Sequence, residues 1–292
     1  MHPLLEKLGR QGPVVTDGAW GTQLQARGLE VGTSPEVWNL QHPEQVEQVA
    51  RGYVEAGSQL ILTNTFGGSR LALQRHGLAA HTAQVNQRGV ELSRRAAGTR
   101  AHVFASMGPS GKLLMAGEVT PDELLDAFAE QAEALAEGGA EAIVVETMTD
   151  AEEARIAVAA ARQTCLPVIC SMVFDSGPDR DRTLMGLTVE AAVAAMVEAG
   201  ADVVGANCGQ GIAAFIPVCR RLRAATDRPV WIKPNAGLPE MAEGRVVYRT
   251  SAAQFAAHVP ALVAAGASFV GGCCGTAPAF IRAVAEKLAA RR

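Results

Sequence analysis

The sequence predicts an α/β fold, a single (β/α)8 TIM barrel whose chemistry sits at the C-terminal ends of its strands. Three observations carry this. Eight short β-rich runs recur along the 292 residues, with helix-like segments between them. Most runs are continuously apolar, as parallel strands covered on both faces must be. The near-repeats EAGSQLIL, EGGAEAIVV, EAGADVVG and AAGASFVGG use one joint four times: helix end, glycine turn, strand. A doubly wound open sheet is the alternative. Its G-x-G-x-x-G turn is not found after the first run, which leads into Asp17-Gly18-Ala19-Trp20-Gly21-Thr22.

The expected strands are 14–17, 59–65, 102–107, 142–146, 167–174, 202–207, 230–235 and 268–273. Helix starts between them carry capping signals. Thr120-Pro121-Asp122-Glu123 is a capping box with proline at the first helical position. Thr149 with Glu152, and Ser251 with Gln254, repeat the pattern. Gly57, Gly138-Gly139, Gly200 and Gly266 fit left-handed helix ends. Nothing along the chain has the composition of a linker, so residues 1–292 read as one domain.

Composition excludes several classes. Hydrophobic residues make up 48% and charged residues 19%, against about 25% charged in an average globular chain, so disorder is not expected. Two stretches, 203–219 and 250–281, contain no Asp, Glu, Lys or Arg. The second, 32 residues, exceeds the roughly 20 apolar residues of a membrane span, but Gln254, His258, Pro260, Pro278 and paired glycines interrupt it. Residues 1–12 carry Glu6, Lys7 and Arg10 and do not read as a signal peptide, so a cytoplasmic protein with no membrane partner is expected. The net charge is −4; Arg94, Arg95 and Arg100, like Arg220, Arg221 and Arg223, read as solvated helix faces, and no nucleic-acid partner is expected. Six cysteines in such a chain are free thiols, ligands or nucleophiles rather than a disulfide framework.

The residues closing each strand face the catalytic rim of a barrel. Cys208 closes the sixth run, and Cys273 and Cys274 close the eighth. The sixth and eighth strands flank the seventh, so the three thiols converge, with glycines around them. Three thiolates suit zinc, and an open fourth position marks a catalytic site. Small buried cysteines are the competing reading. Cys165, Cys170 and Cys219 read as core. Asp17 and Glu146 end the first and fourth runs; two carboxylates beside a thiolate cluster point to a substrate ammonium. Asn235 lies between the cysteine-bearing strands, where a turn-forming Asn before Gly is the alternative. Lys233 is a buried amine with no evident partner. The glycine-rich loop after the eighth run is also a candidate phosphate cradle, which would make the protein a metal-free phosphate-binding enzyme.

The segments TDGAWGTQLQARGL, TNTFGG, GANCG, KPNAGLP and GGCCGTAP resemble the homocysteine S-methyltransferase family, which includes the homocysteine-binding domain of cobalamin-dependent methionine synthase. The resemblance runs in order through nearly the whole chain. It implies a barrel that binds homocysteine, holds zinc through Cys208, Cys273 and Cys274, and moves a methyl group onto the bound thiol to give methionine. It further implies that Asp17, Gly18 and Glu146 contact the homocysteine backbone, the two carboxylates taking its amino group. Asn235 would lie beside the metal and fill its open position. The donor is either a small molecule such as S-methylmethionine or S-adenosylmethionine, or a methyl-corrinoid on a separate protein, since the histidines here form no Asp-x-His-x-x-Gly signature. Gly67 and Thr147 stand where betaine enzymes have tyrosines, which argues against betaine. DGAWGT and MGPSGKLL look closer to the cobalamin branch, with Trp20 shaping the donor face. A methyltransferase acting on another thiol is the alternative.

Overall fold

Apolar side chains face both ways along the strands, and this builds a barrel with two cores. The computed structural model describes residues 2–10, 12–242 and 245–290. Its barrel strands are β1 (Val14–Val15), β2 (Leu60–Ile61), β3 (His102–Met107), β4 (Ala142–Met148), β5 (Val168–Met172), β6 (Val203–Gly211), β7 (Val230–Asn235) and β8 (Ala267–Val270). All pairings among them are parallel, in the order β1-β8-β7-β6-β5-β4-β3-β2. Val14, Leu60, Phe104, Val144, Ile169, Val203, Trp231 and Phe269 fill the interior, joined by Leu5 and Leu8 of the helix Pro3–Gly9, which closes the end where the strands begin. The alternate residues, such as Val15, Ile61, Ala105, Val145, Cys170 and Val204, pack outward against the helices.

The barrel closes between β1 and β2 through one glutamine. The Gln59 N–H donates to the Val15 carbonyl (2.9 Å), and its side-chain oxygen accepts from the Val15 N–H (3.0 Å). One residue thus supplies both halves of the exchange that a ladder would make.

The helix signals hold with one shift. Thr120 and Ser251 form capping boxes with Glu123 and Gln254. The helix Ala151–Arg162 is capped by Asp150, not Thr149, because β4 runs on to Met148 and delays the helix start. Gly57, Gly139, Gly200 and Gly266 all have φ between +90° and +108°, so the four-fold repeated joint is a left-handed glycine turn each time.

β1, β2 and β8 are shorter than their apolar runs. At residues 16–17, 62–65 and 271–273 the backbone leaves regular pairing on reaching the rim. Cys165 also departs from expectation: it lies exposed in the turn after Ala151–Arg162 with φ +61°, whereas Cys170 and Cys219 are core residues whose thiols burial pushes up to about 12. Arg95 pairs with Glu47, and Arg221 with Asp181 and Glu190, as solvated helix faces. Among the described residues no helix is long and apolar enough to cross a membrane.

Gln59→Ala leaves the Val15 N–H without its side-chain partner at the seam. A loss of about 1–3 kcal/mol of stability is expected, read by urea denaturation, with the denaturant slope unchanged.

Candidate active site

Because β7 lies between β6 and β8, the cysteines meet around Asn235. The sulfurs of Cys208, Cys273 and Cys274 all lie within 4.8 Å of one another. Beyond β8 the chain zips between β7 and the end of β1. The Gly271 N–H donates to Ile232 O (3.1 Å), Gly272 N–H to Asp17 O (2.9 Å) and Cys273 N–H to Pro234 O (2.7 Å). Glycine is required before the cysteine pair: a Cβ at Gly272 would lie 2.3 Å from the Thr276 hydroxyl, which donates to the Cys273 carbonyl. The same holds at Gly18, where a Cβ would lie 2.5 Å from the Thr276 carbonyl and 2.8 Å from the Tyr53 ring.

The three thiols hydrogen-bond one another. Hydrogen bonds from Cys273 and Cys274 hold the Cys208 thiol far below the usual range, helped by the Gly209 N–H and the Asn235 amide. The same hydrogen bonds with Cys208 push Cys273 and Cys274 up. A metal cation in the cluster would replace the shared protons. The donor set fits one. Three thiolates around tetrahedral zinc stand about 3.8 Å apart for Zn–S bonds of about 2.3 Å. Asn235 is buried, and its amide N donates to Gly209 O (3.2 Å), but its Oδ1 has no hydrogen-bond partner among the described residues. A sealed acceptor beside three sulfurs is what a missing cation would explain. The Tyr248 phenol hydrogen-bonds Cys274 and borders the cluster; burial, with the charge of Cys274 behind it, pushes its pKa up.

Next to the sulfurs lies a buried charge group. The Lys233 ammonium forms an ion pair with Asp17 Oδ1, and both side chains are almost wholly withdrawn from water. Asp17 Oδ2 accepts from the Leu62 N–H (2.8 Å) and the Trp20 indole (2.7 Å). Burial works against the lysine charge, but the carboxylates of Asp17 and Glu146 outweigh it and hold the pKa above its ordinary value. Glu146 sits at 7% exposure, and its Oε1 accepts from the Ser106 hydroxyl (2.5 Å). Burial pushes the Glu146 carboxyl up, and Lys233 and Ser106 pull it back only in part.

The structure thus brings every residue expected of the site to one rim, with a difference between the carboxylates. Both oxygens of Asp17 are engaged by the protein, so its charge is balanced in place. Glu146 shares the same lysine only at longer range, and it is the carboxylate left to take a further cation. Trp20 is tied to Asp17 rather than turned wholly to the donor side. Sequence reasoning missed the partner of Lys233, together with Ser106, Tyr53 and Tyr248. A carboxylate and a lysine on alternate barrel strands, β1 and β7 with β8 between them, was the available signal for the first.

Comparison with known proteins agrees with this geometry. Residues 14–288 match the family model for homocysteine S-methyltransferase. The chain is 35% identical over 297 residues to a methionine synthase of Mycobacterium tuberculosis (strain ATCC 25618 / H37Rv), covering 94% of this chain and 24% of that protein. It is 35% identical over 307 residues to a methionine synthase of Mycobacterium leprae (strain TN), covering 98% and 25%. The chain therefore spans about a quarter of the length of these curated relatives. Among solved structures, the metallated form of the homocysteine methyltransferase MmuM from Escherichia coli superposes with a TM-score of 0.81 at 25% identity, over 98% of this chain and all of that one. The carboxyl transferase domain of Rhizobium etli pyruvate carboxylase shares the fold alone, at TM-score 0.57 and 15% identity over 98% of this chain and 48% of that one.

Lys233→Met strands the Asp17 carboxylate in a sealed core. A loss of about 3–5 kcal/mol is expected by chemical denaturation, partly restored in the Asp17→Asn/Lys233→Met double variant, where no lone charge remains.

Proposed function

The chain belongs to the homocysteine S-methyltransferase family, and we propose that residues 1–292 form a barrel that binds homocysteine and transfers a methyl group to its thiol, giving methionine. One observation carries this reading: three converging thiols lie beside a buried carboxylate whose charge the protein only partly balances. Cys208, Cys273 and Cys274 are assigned as ligands of zinc, the metal that three thiolates suit best. The metallated state of the E. coli relative supports a metal at this place.

Bound zinc supplies the charge that keeps a coordinated thiol, ordinarily of pKa near 8.5, deprotonated at neutral pH. The protein does the rest. Its three cysteines would hold the metal and leave room for the substrate sulfur, and the buried Asn235 Oδ1, which has no hydrogen-bond partner among the described residues, would be the protein oxygen at hand when substrate is absent. Glu146, held by Ser106, accepts the substrate ammonium. Asp17 holds Lys233 in place, and Gly18, with no side chain, lets the backbone beside it pack against Thr276 and Tyr53. Amino group and sulfur are then fixed at two points, so the sulfur lone pair is aimed at the incoming methyl group.

The phosphate-cradle reading is disfavoured, because the Gly271, Gly272, Cys273 and Thr276 N–H groups of that loop already donate to carbonyls. For the donor, a small sulfonium and a methyl-corrinoid on a protein both fit the chemistry. The second is favoured by exposed apolar side chains on the loops that follow the strands: Phe66, Met115, Leu184 and Met241 all stand on the rim.

Cys208→Ser and Cys273→Ser are expected to lose bound zinc and methionine formation together, measured by metal analysis and by assay with a panel of donors including methylcobalamin. Full activity in metal-free protein would overturn the reading, and methylation of other thiols in preference to homocysteine would favour a different acceptor. Glu146→Gln removes a charge-assisted contact of about 1.5–3 kcal/mol, a rise of roughly 10- to 100-fold in the homocysteine KM. The pH dependence follows. Only ionised Glu146 takes the ammonium, and burial raises its pKa, so homocysteine affinity falls on acidification at a pH above the usual glutamate range. Glu146→Gln abolishes that limb in a binding titration.

A further inference from the structure

We propose that Asn207 is a positioning residue that fixes the spacing between the Cys208 sulfur and the Glu146 carboxylate, and so between the thiol and the amino group of one bound substrate. The proposal rests on the roles given above to Cys208 and Glu146.

Both residues sit in bulges at the rim. On β4, Val145 lies opposite Cys170 and Met148 opposite Met172, so three steps on β4 face two on β5. On β6, Asn207 lies opposite Lys233 and Gly211 opposite Asn235, so four steps face two on β7. Each bulge contains a residue other than glycine in the left-handed region: Thr147 at φ +63° and Cys208 at φ +63°. Such a conformation costs an L-residue about 1–2 kcal/mol, and for a β-branched threonine it is unusual. It persists only where the surroundings hold it.

One side chain does the holding. Asn207 is fully buried. Its Oδ1 accepts from the Thr147 N–H (2.9 Å) and from the Ser171 hydroxyl (2.7 Å). Its Nδ2 donates to the Thr147 hydroxyl (2.7 Å). The amide therefore ties the bulge of β4 to the bulge of β6 across the intervening β5. Thr147 directly follows Glu146, and Cys208 directly follows Asn207. The carboxylate and the sulfur are each one residue from a single clamp, buried at Asn207 and Ser171 and half-buried at Thr147. The Asn207 amide bonds to Thr147 and Ser171 and not to the thiols, so its effect is one of placement.

The test uses the full chain with Asn207→Ala and Thr147→Val, which open the clamp from its two ends, and Thr147→Ser, which keeps the hydroxyl. Metal binding is read by Co(II) titration, through thiolate-to-metal absorbance, and by chelator competition with zinc. Homocysteine binding to the zinc-loaded protein is read by calorimetry. Expected are a metal affinity weakened roughly 10- to 100-fold in Asn207→Ala, an altered cobalt spectrum, and weaker homocysteine binding on top of it. Thr147→Val should move both quantities in the same direction, and Thr147→Ser should stay near wild type. If Asn207→Ala does not fold, Thr147→Val decides by itself. Folded clamp variants with wild-type cobalt spectrum, metal affinity and homocysteine affinity overturn the proposal alone. Wild-type protein that takes up neither metal overturns the reading of the cysteines, and the proposal with it.

Discussion

The ion pair between Asp17 and Lys233 is the contact on which the active end of this barrel rests. A carboxylate taken out of water costs several kcal/mol unless its oxygens are met in full. Here they are met from three directions: β7 through Lys233, the end of β2 through the Leu62 N–H, and the turn after β1 through the Trp20 indole. The last two lie on either side of the seam that Gln59 closes lower down, so Asp17 also fastens the barrel at its upper end. With Asp17 and Lys233 cancelling each other, the burial that raises Glu146 becomes usable, since a cationic substrate relieves it.

Much of this was legible in the sequence, for a physical reason. A barrel strand hands its last residues to the rim, so reading what closes each apolar run is already a reading of the active site. Cys208, Cys273, Cys274, Glu146 and Asp17 were all found that way, and the glycine joints gave the register of the repeats. The strand ends were less legible. The expected runs continue past the last regular pairing in β1, β2 and β8, where Thr16, Asp17, Leu62, Thr63, Gly271 and Gly272 are buried although they lie beyond the strand. Cys165 misled for the opposite reason, an apolar neighbourhood in sequence that is an exposed turn in space. Least legible were contacts between distant positions. Lys233 meets Asp17 across 216 residues, and Asn207 meets Thr147 across 60, and no local pattern announces either.

The two charge-free stretches acquire a meaning in this light. One carries Asn207 and Cys208, the other Cys273 and Cys274. Between them they contribute the sulfurs and no fixed countercharge. Neither stretch supplies a cationic side chain beside its sulfurs. The charged residues that do reach the rim, Asp17, Glu146 and Lys233, come from elsewhere in the sequence and meet one another there.

The left-handed backbone at Cys208 sets stability against chemistry at one position. Glycine would adopt that conformation freely and relieve the strain, yet glycine has no sulfur. Stabilising substitutions are ordinarily easy to find, but here the relaxing residue is the one that abolishes a ligand. A Cys208→Gly exchange would therefore relax the bulge of β6 and at the same time remove one of the three converging sulfurs.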